Sequence, residues 1–147
     1  MIRMLKHLKK GGYFNMVVDL NLDPREPSVI IKQFGGLKAC VTQMHAALAA
    51  HSGAVIIPAD CTPLPDGRYR LMHYPALNIP EGATAADVVQ MCWDVLEPGI
   101  RQHPELWLWS YKHWRFKPAN DISGRYPFYS NIAKRFDRLL RKQAVEK

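Results

Sequence analysis

Apolar positions along the chain fall into short blocks whose period switches between helical and extended. Met1 to Lys10 sets Met4, Leu5 and Leu8 on one side and Lys6, Lys9 and Lys10 elsewhere, a short basic amphipathic helix that Gly11-Gly12 ends. Tyr13 to Asp19 reads as a buried strand and Val29 to Phe34 as a second, with Leu22 to Pro27 a proline-marked loop between them. Ala39 to His51 carries Val41, Met44, Ala47 and Leu48 at i, i+3, i+6 and i+7, which predicts a helix stopped by Ser52-Gly53. Ala54 to Ile57 is then a short apolar strand ended by Pro58. Strand, helix, strand with tight punctuation predicts a βαβ-like unit and parallel pairing.

Pro63 to Gly67 is a turn, and Arg68 to Tyr74 alternates, with Tyr69, Leu71 and His73 on one face and Arg68, Arg70 and Met72 on the other. A helix starts at Thr84, which is its N-cap, with Asp87 in the capping-box position and Val88, Cys92, Val95 and Leu96 facing inward. Pro98-Gly99 predicts a break, because an interior proline costs about 3 kcal/mol. A second helix is expected to restart there and carry Ile100 towards Trp107. Phe116 to Phe128 reads as loop. From Tyr129 the tail is a basic amphipathic helix, with Ile132, Phe136, Leu139 and Leu140 opposed by Lys134, Arg135, Arg138, Arg141 and Lys142. The fold class is α/β, a partial mixed sheet flanked by helices, with this basic helix at its C-terminus.

Composition adds limits. A chain of 147 residues, 48% hydrophobic and 22% charged, is one folded domain's worth of sequence. No apolar run approaches the roughly 18 residues that span a bilayer. Cys40, Cys61 and Cys92 form no Cys-x-x-Cys pair and read as free thiols, not as a disulfide framework or zinc site. The net charge of +7 lies in the last third: residues 99–147 hold eleven Lys/Arg and four Asp/Glu. That excess points to a polyanionic partner, whether anionic lipid, phosphorylated glycolipid, acidic carrier protein or nucleic acid.

Candidate chemistry narrows the field. There is no phosphate loop, no Gly-x-Ser-x-Gly elbow and no His-Glu-x-x-His helix. Acyl transfer to a hydroxyl needs a base, commonly a histidine oriented by a carboxylate about one helical turn on. The residues five positions after His7, His45, His51, His73, His103 and His113 are Gly12, Ala50, Ile56, Asn78, Leu108 and Pro118, none of them acidic. His45 and His51 are six apart, wrong for two metal ligands on one helix face, so no metal site is expected. Asp19 ends an apolar strand, where a side chain projects into a crevice or caps a turn. Glu97 to Pro118 sets Trp107, Trp109 and Trp114 among Arg101, Lys112, Arg115 and Lys117, a mixture suited to half-wet interfaces.

Taken in order, these pieces resemble the C-terminal half of the lipid A biosynthesis acyltransferases, the lauroyl and myristoyl transferases of the glycerolipid acyltransferase superfamily. Four anchors carry the resemblance over residues 1–118: the helix, Lys-Gly-Gly, strand and Asp of Leu8 to Asp19; Phe34-Gly35; Leu48-Ala49 through Ala54 to Pro58; and Glu97, Ile100, Arg101, Pro104, Glu105, Trp107, Trp109, Lys112, Trp114 and Arg115. Leu20, Gln33 and Leu106 stand where the family has Gln, Phe and Gln, and the family's His-x-x-x-x-Asp/Glu is not found in this sequence.

The resemblance implies transfer of a fatty acyl group from acyl carrier protein or coenzyme A to a hydroxyl of a phosphorylated glucosamine lipid. The setting is the cytoplasmic face of the bacterial inner membrane, and neither metal nor cofactor is required. It places Asp19, Phe34 and Gly35 in an acceptor pocket. Arg101, Trp107, Trp109, Lys112, Trp114 and Arg115 are candidates for a lipid- or phosphate-facing surface. Residues 119–147 form a separate loop and helical tail. The expectation is the C-terminal part of such an enzyme, inactive alone and partnered by the missing N-terminal half. The alternative is a non-catalytic module that binds anionic membrane or glycolipid through its basic third. Nucleic-acid binding is disfavoured, because the basic residues accompany lipid-type aromatic anchors.

Overall fold

A computed structural model describes residues 1–24 and 27–145, so part of the expected loop over 22–27 and the last two residues of the tail fall outside the described residues. The element order is α1 (Ile2–Lys9), β1 (Ser28–Gln33), β2 (Leu37–Thr42), α2 (Met44–Ser52), β3 (Ala59–Pro63), β4 (Tyr69–His73), α3 (Ala85–Gln102), β5 (Phe116–Lys117), β6 (Asn131–Ile132) and α4 (Lys134–Val145). Two 3-10 turns, Pro104–Leu106 and Trp109–Tyr111, follow α3. This is the expected mixed α/β class, four helices with three two-stranded sheets among the described residues.

The β1–β2 hairpin is the centre of the molecule because both of its faces are covered. Val29 and Ile31 of β1 and Ala39 and Val41 of β2 pack with Ala46 of α2, with Val88, Val89 and Trp93 of α3, and with Trp114. Ile30 and Cys40 point the other way, onto Phe136 of α4. A strand buried on two sides reads as a continuous apolar run, which Val-Ile-Ile is. Phe136 is fully buried, and truncating such a residue to Ala costs about 3–5 kcal/mol. The outer edge of β1 ends on side chains. Ile30 N–H donates to Gln143 Oε1 at 2.7 Å, and Gln143 Nε2 donates back to Ile30 O at 3.0 Å. Gln90 of α3 does the same at Lys32, at 2.7 and 2.9 Å.

Several expectations need correcting. Ala39 to Thr42 is strand, not helix, because Gly35 and Gly36, at φ of 76° and 117°, fold the chain back and pair Ser28–Gln33 with Leu37–Thr42. The β-branched Val41 and Thr42 suit that strand, and the helix begins only at Met44. The anticipated parallel unit is therefore replaced by antiparallel hairpins, β1–β2 and β3–β4. The only parallel pairing among the described residues is the two-residue β5–β6. Tyr13 to Asp19 is no strand. It leads to a single bridge, Asn21 to Val41, and Tyr13 stands 80% exposed, because no described strand lies alongside to bury the run. Ala54 to Ile57 likewise lies outside any strand, with Val55 exposed.

The capping box of Thr84 and Asp87 forms as expected. Pro98 does not break α3, which runs on to Gln102. Pro98 faces solvent, and Arg101 Nε donates to Glu97 Oε1 at 2.8 Å across it, while His103 N–H reaches Gly99 O at 3.0 Å. The tail helix starts at Lys134, five residues later than the periodicity suggested. All three cysteines are free.

Candidate functional site

The turn joining β1 to β2 holds three consecutive left-handed residues, Phe34 (φ 44°), Gly35 and Gly36. Glycine takes this conformation freely; phenylalanine must be held in it. Glu97 of α3 supplies the hold. Its Oε2 accepts Phe34 N–H at 2.7 Å and also the Trp93 indole N–H, while Oε1 accepts Arg101 Nε at 2.8 Å. Burial raises the Glu97 carboxyl, but the bonds from Phe34, Trp93 and Arg101 outweigh it and leave the group below the usual glutamate range.

Held there, the Phe34 ring becomes a hub. Its centroid lies 5.2 Å from Trp107, 5.5 Å from Trp93, 5.8 Å from Trp114 and 6.3 Å from Trp109. The Arg101 guanidinium sits over the same ring at 5.3 Å. Such edge and cation contacts each contribute about 0.5–1.5 kcal/mol beyond burial. Asp19 reaches this cluster from the other end of the chain. Its Oδ2 accepts the Trp107 indole N–H at 2.7 Å, and its Oδ1 is buried with no hydrogen-bond partner among the described residues. His113 stacks on Trp107 with centroids 3.8 Å apart. Only 3% exposed, it bonds to Leu108 O at 3.1 Å through Nε2. Burial pushes its pKa down, against the pull of Asp19, and so favours the neutral ring.

The structure thus brings Asp19, Phe34, Arg101, Trp107 and Trp109 together, with Gly35 at the exposed turn. Trp114 joins the same rings from the core side, whereas Arg115 and Lys112 lie apart. Trp114 is 5% exposed and belongs to the core, so it presents no lipid-facing surface. Arg115 turns to Asn21 O, 2.9 Å from Nη2, and lies over Tyr111. Lys112 is exposed on a left-handed residue of the following turn. Glu97 as the acceptor that holds the turn, Trp93 and His113 were not anticipated in these roles. The Glu97–Arg101 spacing of four residues was the one available sign. The single histidine–carboxylate pair among the described residues is His103 Nδ1 to Glu105 Oε1 at 3.4 Å, both exposed. Chemically the cluster offers an aromatic wall, one carboxylate oxygen and a guanidinium. No cluster of three His, Cys, Asp or Glu suited to a metal ion occurs among the described residues.

A family model described as bacterial lipid A biosynthesis acyltransferase matches residues 1–116. The chain belongs to that family. Every member of the aromatic cluster, with Asp19 and Glu97, lies inside the span that matches the lipid A biosynthesis acyltransferases, whereas α4 and the loop before it lie outside. The comparison with curated proteins found no match. No helix among the described residues is long and apolar enough to cross a membrane.

Proposed function

We propose that this chain forms the acceptor-side part of a lipid A acyltransferase. The reaction moves a fatty acyl group from acyl carrier protein or coenzyme A to a hydroxyl of a phosphorylated glucosamine lipid, at the cytoplasmic face of the bacterial inner membrane. A base removes the hydroxyl proton, the oxygen attacks the thioester carbonyl, and the thiolate leaves and is protonated. What supports the reading above all is that Asp19, from one family anchor, hydrogen-bonds Trp107, from another, with Phe34 packed against both partners' site. In this scheme Asp19 Oδ1 accepts a bond from a sugar hydroxyl, and the Phe34–Trp109 face walls the lipid.

None of the six histidines has the acidic residue five positions on. The base is therefore assigned to a residue outside this chain, and the chain alone is taken as inactive. The purified chain, incubated with acyl carrier protein thioester and a lipid A precursor, should yield no acylated product by mass spectrometry; product would refute the inactivity. It should still bind the acceptor lipid, and Asp19→Ala should weaken that binding about tenfold, the value of one lost hydrogen bond to a charged group. Unchanged binding would remove Asp19 from the pocket.

One observation favours a second reading, a non-catalytic module on anionic membrane. Leu106, Leu108 and Trp109 are exposed beside Lys112, the mixture of apolar and basic groups that suits a headgroup interface. Co-sedimentation with anionic vesicles by a chain that ignores the acceptor lipid would favour it.

A further inference from the structure

The β1–β2 hairpin carries more positive charge than the acyl-transfer scheme uses. Lys32 and Lys38 stand directly opposite each other across the ladder, and like charges so placed destabilise a sheet. Both line the groove of about 980 Å³ that also includes Gly35, Gly36 and Arg101. Arg101 Nη2 lies 3.9 Å from where a Cβ on Gly35 would sit, and Arg125 Nη2 lies 3.6 Å from the same point on Gly36. Arg125 also donates to Gly35 O at 3.1 Å. It is brought there by Tyr126, whose hydroxyl accepts from Lys38 N–H at 2.8 Å and donates to Lys38 O at 3.1 Å. Both residues lie beyond the span that matches the family.

Three acids, Asp87, Asp94 and Glu97, line the same groove, and each is held by donors of its own. Glu97 already accepts three donors, one of them from Arg101. Asp94 accepts from Gln90 at 2.8 Å, Asp121 from Ser123, and Asp87 from Thr84. Among the described residues, neither lysine nor Arg125 has an ion-pair partner.

We propose that this hairpin binds a phosphomonoester dianion over Gly35-Gly36, between Arg101 and Arg125 and flanked by Lys32 and Lys38. Guanidinium groups offer paired N–H donors that match phosphate oxygens, and a dianion offsets the Lys32–Lys38 repulsion that the fold otherwise carries. The glycines leave the floor bare, so the ligand approaches the backbone. The inference rests on the acyltransferase reading for the lipid that bears the phosphate, not for the anion itself.

The test titrates the purified chain at about 0.15 M salt, where loose surface attraction is screened, following tryptophan fluorescence. The probes are glucosamine 1-phosphate, neutral vesicles doped with phosphatidic acid, and the same vesicles doped with an anionic phosphodiester lipid. Saturable binding of both phosphomonoester probes is expected, with at least a tenfold loss in Arg125→Gln. The double variant Lys32→Gln/Lys38→Gln should bind more weakly yet melt at a higher temperature without ligand. No saturable binding of either phosphomonoester, equal binding by Arg125→Gln, or equal binding of the phosphodiester vesicles would overturn the site. Binding of glucosamine 1-phosphate without binding of phosphatidic acid vesicles would uphold the anion site and overturn its lipid assignment.

Discussion

Trp107 Nε1 donates to Asp19 Oδ2 at 2.7 Å, joining residues 88 positions apart. Asp19 Oδ1 has no partner among the described residues, so this indole is the carboxylate's one side-chain donor there. Trp107→Phe keeps much of the ring packing but strips the bond from a half-buried charge. The expected loss is about 1–3 kcal/mol in chemical denaturation. A change below about 0.5 kcal/mol, the scatter of ordinary surface substitutions, would show that the bond does not stabilise the fold.

Glu97 is expected to be more costly still. Glu97→Ala leaves Phe34 N–H and the Trp93 indole without acceptor and frees a strained turn, a loss of about 3–5 kcal/mol of the kind seen when one partner of a buried network is removed. Glu97→Gln retains an acceptor and should cost less. The sign with pH follows from the depressed carboxyl. Its stabilisation is present above the ordinary value of 4.5 and is lost as pH falls through the lower folded value. An acid titration of wild type against Glu97→Gln should show the two converging below that range; parallel curves would contradict it.

His45 and His113 act on a different window. Burial lowers both from 6.5. Above 6.5 each ring is neutral folded and unfolded, and adds no pH dependence. Below it the unfolded chain takes up protons that the folded chain refuses, so stability falls as the solution is acidified towards the folded values. Melting temperature measured from pH 7.5 to 5 should therefore decline, and His113→Asn should flatten part of the decline. A flat wild-type profile would rule out the buried neutral rings.

The edge of β1 gives a prediction about association. Gln90 and Gln143 occupy the hydrogen-bonding positions at Lys32 and Ile30 that a neighbouring strand would take. Replacing both with Ala opens that edge, and exposed edges pair with other chains. Light scattering should show concentration-dependent association in the double variant and not in the wild type.

How far these features could be read in advance depended on the range of the forces involved. The Thr84–Asp87 box was legible because both partners lie within one turn. Strand β1 was legible because a run buried on two faces is continuous in sequence. The swap of Ala39–Thr42 from helix to strand turns on Gly35-Gly36, whose reversal sets register only once β1 is present. Tyr13 to Asp19 misled for the opposite reason. Its apolar run asks for a neighbouring strand, and the described chain supplies a single bridge at Asn21. In the site, Asp19, Phe34 and Trp107 could be named from the family pattern, but not their convergence. Arg125 gave no local sign at all, because its place depends on Tyr126 finding Lys38 88 positions away.

All four tryptophans of the protein, Trp93, Trp107, Trp109 and Trp114, lie around the one Phe34 ring. The tryptophan emission of the molecule therefore arises from a single neighbourhood, where excitation passes readily between indoles. Light collected on excitation of tryptophan alone reports on the hairpin turn and α3, and stays silent about β3 and β4. Ligand arrival at the cluster can be followed without a label, whereas melting of the β3–β4 hairpin would need a probe of its own.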